Sequence, residues 1–232
     1  MERLDKLLAA TGQWSRKEAK ALVKAGRVQV GGARPKGPED KVAEGTPVTV
    51  DGRPIATEQG VYVMLHKPAG VVSSTQDPRE RTVLDLLPQH LRRRALFPVG
   101  RLDKDTEGLL LLTNDGPLAH ALLAPGRHVD KVYYVEVDGR LEQDRRAFQA
   151  GVTLADGTVC QPADLTVLDP PSQGLVTLRE GKYHQVKRML AARGKPVTYL
   201  KRLSMGPLTL DPALPAGAWR PLTPEEKASL GR

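Results

Sequence analysis

Asp103, Asp105 and Glu107 stand at alternate positions in the run GRLDKDTEG, flanked by Arg101 and Lys104. In an extended backbone, side chains two apart lie on one face. Three carboxylates would then converge, a donor set suited to a hard divalent cation. A solvated acidic turn is the plainer reading of the same residues, and spacing alone leaves both open.

Whatever this group does, the chain behind it fixes its position. Leu109, Leu110, Leu111 and Leu112 follow directly, too few for a membrane helix and closed by the turn-forming Asn114-Asp115-Gly116. A buried strand is the natural reading. Charges placed directly before such a strand must lie near the core, as in an active-site loop held on a core element.

Other chemistries lack their parts. The chain has no G-x-x-x-x-G-K-[ST] loop, no G-x-G-x-x-G turn and no G-x-S-x-G elbow. His66, His90, His120, His128 and His184 are scattered without zinc-binding spacing, and read as structural or RNA-facing. Cys160 is the single cysteine, so neither a disulfide framework nor a Cys-based zinc site can form within the chain.

The 232 residues leave room for one large domain, or for a small domain plus a medium one. Lys and Arg number 35 against 27 Asp and Glu, a net charge of +8 that favours a polyanionic partner. The single cysteine and the lack of any long apolar run point to a soluble protein of the reducing cytoplasm, with no membrane association.

The excess charge is concentrated. Residues 1–36 contain nine Lys or Arg and three acids. Leu4, Leu7 and Leu8 have helical spacing, Ser15-Arg16-Lys17-Glu18 forms a capping box, and a second helix is expected over residues 16–25. Gly26 suits its C-terminal cap, and Arg27–Val30 reads as a strand ending in the turn Gly31-Gly32. Val48–Val50 is a later strand. The run RLDKLLAATGQWSRKEAKALVKAGRVQVGG resembles the RNA-binding domain first described in the small-subunit ribosomal protein S-four. That resemblance covers residues 2–51 and implies RNA contacts from Arg3, Lys6, Ser15, Arg16, Lys17, Lys20, Lys24 and Arg27.

Residues 52–60 lack periodicity and read as a linker to a second domain over residues 61–232. Strands are expected at residues 61–67, 71–74, 109–112, 131–137, 165–168, 175–179, 197–200 and 208–210. Helices are expected after Thr82, over residues 117–123 and 141–150, from Gly181 to a stop at Gly194, and after the capping box Thr223-Pro224-Glu225-Glu226. Alternation in KVYYVEV puts Tyr133 with the buried set and Tyr134 on the opposite face. The whole is an α+β fold: a small αβ RNA-binding module, and a larger, mainly antiparallel sheet domain with flanking helices.

The blocks LHKPAGVVSS, GRLDKDTEGLLLLTNDG, KVYYV, EGKYHQVKRML and GAWRPLT, in that order, resemble the ribosomal small-subunit pseudouridine synthase family. The resemblance spans nearly the whole chain. It implies isomerisation of uridine in ribosomal RNA, with small-subunit 16S RNA ahead of large-subunit 23S RNA. The catalytic carboxylate would be Asp103, with Arg101, Tyr133 and Lys187 around the substrate, and no metal or other cofactor. The implied partner is ribosomal RNA or a subunit precursor, met by a monomer. A ribosome-assembly factor without activity is the non-enzymatic alternative.

Overall fold

The protein is described by a computed structural model covering residues 1–43, 45–55, 60–124, 126 and 129–231. These form two compact units: Met1–Val61 with Leu87–Leu96, and Tyr62–Leu86 with Phe97–Arg232.

In the first unit a short strand β1 (Glu2–Arg3) leads into helices α1 (Leu4–Ala10) and α2 (Arg16–Lys24). Leu4, Leu7 and Leu8 pack against Ala19, Leu22 and Val23, as their helical spacing requires. The capping box forms: Ser15 Oγ accepts the Glu18 N–H at 3.3 Å, and the Glu18 carboxylate accepts the Ser15 N–H at 2.6 Å. Strands β2 (Val28–Val30), β3 (Lys41–Val42), β4 (Val48–Val50) and β5 (Arg53–Ile55) follow. The order β2-β4-β5 makes one antiparallel sheet, while β3 pairs with β1. Gly31 and Gly32 both take positive φ, and Val30 and Ala33 exchange backbone hydrogen bonds across them, the geometry of a two-residue hairpin.

Strand β5 lies inside the stretch expected to be an irregular linker. Its Pro54 is tolerated because β5 is an edge strand of this sheet, and the proline hid the strand from pattern reading. Residues 56–59 of that stretch lie outside the described residues. The same unit takes in α3 (Gln89–Arg92). A Cβ on Gly12 would stand 2.2 Å from the His90 carbonyl oxygen, so the two backbones are in direct contact. The Arg94 guanidinium reaches the Thr11 carbonyl at 3.3 Å.

The second unit begins with β6 (Tyr62–Lys67) and a 3₁₀ turn (Val83–Leu86), then β7 (Phe97–Pro98) and β8 (Glu107–Thr113). Next come α4 (Gly116–Leu123), β9 (Lys131–Val137), α5 (Arg145–Ala150), β10 (Asp164–Val167) and β11 (Gln173–Leu178). The chain ends with α6 (Gln185–Ala192), β12 (Val197–Met205), β13 (Leu208–Thr209), β14 (Trp219–Pro221) and α7 (Pro224–Leu230). Among the described residues these strands form one sheet of order β10-β11-β9-β12-β8-β6-β14, with β13 added to β12 and β7 to β8. All its pairings are antiparallel except β12 with β8.

The leucine run is the centre of this sheet. Leu109 to Leu112 are 0% exposed, and burial of each side chain contributes about 1.5–3 kcal/mol. Leu109 and Leu111 pack with Met64, Leu122 and Met205 in one core. A second core gathers Val135, Phe148, Val176, Met189 and Leu190, under α5 and α6.

Four expected elements differ in form. Residues 71–74 do not continue a strand: Val72 makes only an isolated bridge to Thr82, and Ser73 is engaged elsewhere. The helix after Thr82 is a single 3₁₀ turn. There the Asp85 carboxylate accepts both the Thr82 N–H and its hydroxyl, at 2.9 and 3.0 Å, so Asp85 reaches back rather than Thr82 forward. The helix over 141–150 starts only at Arg145, because Leu141 is buried and its N–H is bound by Pro171 O. The helix expected from Gly181 starts at Gln185, because His184 takes a left-handed conformation with φ 46°.

Candidate active site

Asp103 sits on a turn that other residues hold by its backbone. Lys67 at the end of β6 is fully buried, and its ammonium donates to the carbonyls of Pro68 (2.9 Å), Lys104 (3.2 Å) and Thr106 (2.8 Å). Gly70 N–H donates to the same Lys104 oxygen at 2.7 Å. Ser73 Oγ donates to Leu102 O at 2.8 Å and accepts Leu102 N–H at 3.0 Å. The block LHKPAGVVSS is thus the clamp for the loop before β8. Burial pushes the Lys67 pKa down to about 8, against the opposing pull of Asp105, Asp103 and Glu107.

This turn overturns the extended reading of residues 103–107. Thr106 N–H closes on Asp103 O at 3.1 Å, and Glu107 parts from the other two carboxylates, which both reach Lys187. Glu107 accepts the Tyr199 hydroxyl at 2.8 Å, while Asp105 is largely exposed. They do not make a common donor set.

Two side chains from the start of α6 meet Asp103 instead. Lys187 Nζ lies 3.2 Å from Asp103 Oδ2 and 2.5 Å from Asp105 Oδ1, and His184 Nε2 lies 3.3 Å from Asp103 Oδ1. Burial alone would lower the Lys187 pKa, but its hydrogen bonds to Asp105 and Asp103 outweigh that and raise it. The Lys187 hydrogen bond in turn holds Asp105 below its ordinary value. Gln185 shapes the approach: its side chain accepts the Lys182 N–H at 2.9 Å and donates to Glu180 at 2.5 Å. That ties the 180–185 loop and delivers His184 and Lys187 to one carboxylate.

Asp103 opens onto a cleft of about 780 Å³, also lined by Arg101, Lys131, Tyr133, His184 and Arg202. That volume falls in the range of small-ligand sites. Tyr133 packs beside the second core with its ring at the cleft wall, whereas Tyr134 bonds Glu136 on the other face, as the alternation of β9 requires. Arg101 is exposed at the rim and makes no ion pair among the described residues. The structure therefore groups Asp103, Lys187, Tyr133 and Arg101, and adds His184, Lys67, Ser73 and Arg202, which sequence reasoning did not single out. Tyr183 is a further addition, 74% exposed and stacked on His184 at 3.7 Å. Lys67 and His184 lie inside blocks already noted for their resemblance, but nothing in their spacing reveals the contacts.

On the N-terminal unit the expected basic residues behave differently from one another. Asp5 is fully buried and gathers Arg3 (3.0 Å), Arg16 (3.5 Å) and Lys20 (3.9 Å). Its pKa is lowered, first by the Arg3 hydrogen bond. Lys6 pairs with Glu2, Arg27 with Asp51, and Ser15 serves as the helix cap. Lys17 and Lys24 are exposed without an ion pair among the described residues. Arg34 and Lys36, absent from the expected set, line a depression with Arg3, Lys20 and Lys24.

The second unit thus presents a carboxylate backed by an ammonium in a cleft of ligand size, and the first unit carries a basic helix. Comparison with known proteins gives the class. The profile of RNA pseudouridylate synthases matches residues 61–192, and that of the S4 domain matches residues 2–48. An RNA pseudouridine synthase of Bacillus subtilis is 49% identical over 97% of this chain and 96% of its own. A Pseudomonas aeruginosa protein named ribosomal small subunit pseudouridine synthase A is 44% identical over 98% of this chain and 100% of its own. A crystal structure of a pseudouridylate synthase superposes with a TM-score of 0.70 at 34% identity, covering 99% of this chain and all of that one. The chain belongs to the RNA pseudouridylate synthase family and carries an S4 domain at its N-terminus.

Proposed function

We propose that this enzyme isomerises a specific uridine of ribosomal RNA, in the small-subunit 16S molecule, with Asp103 as the catalytic carboxylate. The observation that carries the reading is Asp103 in the cleft, held between Lys187 and His184. Relatives named for the small ribosomal subunit support the choice of RNA.

The reaction breaks the bond from N1 to C1′, turns the uracil, and joins C5 to C1′ with loss of the C5 proton and protonation of N1. Composition does not change. A carboxylate beside the sugar serves both routes open to it, attack on C1′ and removal of the C2′ proton. Lys187 sets an ammonium 3.2 Å from that carboxylate. A target within folded RNA must leave its stack, and Tyr133 offers the face on which the extruded base rests. Arg101 at the rim holds a phosphate or fills the vacated space.

In this reading residues 1–51 bind RNA through Arg3, Lys6, Arg16, Lys17, Lys20, Lys24 and Arg27, and residues 61–232 perform the chemistry. The monomer acts in the cytoplasm on ribosomal RNA or a subunit precursor.

The test is Asp103→Asn in a strain lacking the native gene, with pseudouridine mapped in both ribosomal RNAs by carbodiimide-dependent primer stops. One small-subunit stop should be present with the native gene and absent with the variant. A stop that survives removes Asp103 from the role, and a gene-dependent stop confined to the large-subunit RNA reassigns the substrate.

A further inference from the structure

Arg202 is the largest fully buried side chain among the described residues, and nothing in the chemistry above uses it. It is 1% exposed yet lines the cleft. Its Nε donates to Leu109 O at 2.8 Å, which fixes the guanidinium against the central leucine strand. Its Nη2 is buried and has no hydrogen-bond partner among the described residues. A buried guanidinium N–H without a protein acceptor is costly, and in native proteins such a group is met by ordered water, an ion or a ligand.

The sheet register places this donor. Arg202 on β12 lies directly opposite Tyr133 on β9 and beside Gly108 on β8, so its side chain shares a face with the Tyr133 ring. Gly108 is required there: its φ is +113°, and a Cβ would stand 2.2 Å from Arg202 O. A second cation reinforces the spot. Lys131, also on the cleft wall, is half-buried, donates to Val129 O at 3.0 Å, and feels the Arg202 charge. Among the described residues no carboxylate is hydrogen-bonded to Arg202, and its neighbour on the cleft wall is a second cation, Lys131.

We propose that Arg202 Nη2, supported by Lys131, binds a carbonyl oxygen of the target uracil and stabilises the ring as the detached anion. This rests on the pseudouridine synthase reading and adds a substrate-contacting residue to it. Once the N1 bond breaks, the uracil carries its negative charge on N1, C5 and the two carbonyl oxygens. A donor that meets one of those oxygens in a site closed to water acts where charge develops. The depth of Arg202 favours the base over a backbone phosphate. Phosphates remain hydrated and meet cations at the rim, where Arg101 and Lys182 stand.

The test uses the full-length enzyme with a small-subunit ribosomal RNA transcript labelled with tritium at uridine C5, scoring tritium release in single turnover. Arg202→Met should slow release by about 10²-fold or more, with Arg202→Lys intermediate. RNA affinity from filter binding should stay within about threefold of wild type, which a neutral contact on a single base allows. Native release rates in Arg202→Met, or an affinity loss that accounts for the rate loss, would overturn the inference. A second measurement needs no variant. Transcripts carrying 2-thiouridine or 4-thiouridine throughout should differ with the wild-type enzyme, because sulfur at the bonded position weakens that hydrogen bond. Equal rates on both would also overturn it. No release by the wild-type enzyme from small-subunit or large-subunit transcripts, free or assembled into subunit precursors, would sink the enzymatic reading itself, a result distinct from the others.

Discussion

Lys187 lies 3.2 Å from Asp103 and 2.5 Å from Asp105, so one ammonium serves two carboxylates, one in the cleft and one in solvent. Removing the ammonium leaves Asp103 without its main counter-charge. Lys187→Met should lower the single-turnover rate by about 10²-fold, and Lys187→Arg should restore part of it. RNA affinity should barely change in either. A Lys187→Met enzyme with the native rate would show that the pair is structural only.

Lys67 gives a stability signature with a definite sign. Its folded pKa of about 8 is below the ordinary 10.5, so between these values the unfolded chain binds the proton and the folded chain does not. Stability contributed by this group therefore rises with pH across that window, by as much as about 3 kcal/mol. Urea denaturation from pH 8 to pH 10.5 should show wild type gaining on Lys67→Met. A constant difference would refute the depressed pKa.

Gly108 allows β12 to approach β8 beside the cleft. Gly108→Ala should cost about 3 kcal/mol or more, from strain at φ +113° and a clash with the Arg202 backbone. Gly157→Ala has similar strain at φ +82° but no atom within 4 Å of the new Cβ, and should lose about 1–2 kcal/mol. Thermal or urea unfolding of the two variants compares them directly, and equal losses would remove the clash from the account.

Lys17 and Lys24 are the exposed cations of α2 that hold no ion pair among the described residues. Replacing both by Gln should weaken ribosomal RNA binding and reduce the slope of log affinity against log salt by roughly one to two. Arg27→Gln should change the slope less, since Asp51 already neutralises that charge. Filter binding across a salt series reads both, and an unchanged slope in the Lys17 and Lys24 variant would place the RNA elsewhere.

Periodicity reveals elements whose burial is regular. The leucine strand, the Tyr133 strand, the Leu4 and Leu22 helices and both capping boxes were readable because each needs a recurring apolar face or a fixed capping pair. Strands β1, β3 and β5 were not, since the two residues of β1 and of β3 hold no period and β5 contains a proline. The proposed site residues Asp103, Tyr133 and Lys187 carry types that chemistry demands and lie in blocks with a resemblance. Lys67, Ser73 and Arg202 look ordinary in sequence. Their importance comes from burial and from carbonyl acceptors supplied by distant segments, which only the folded chain brings together. His184 was read as one scattered histidine, whereas its left-handed backbone turns the ring onto Asp103.

The inclusion of Leu87–Leu96 in the N-terminal unit bears on synthesis. Domains commonly fold in order as they leave the ribosome. Here the contact between Gly12 and His90 cannot form until translation has passed β6, the first strand of the second unit, so the N-terminal unit is finished from within its successor. A fragment ending after the S4 match at residue 48 would lack the surface that Gly12 packs against. The two units are interleaved in time as well as along the chain, and a gene fusion that exchanged one S4 domain for another would have to carry this second segment with it.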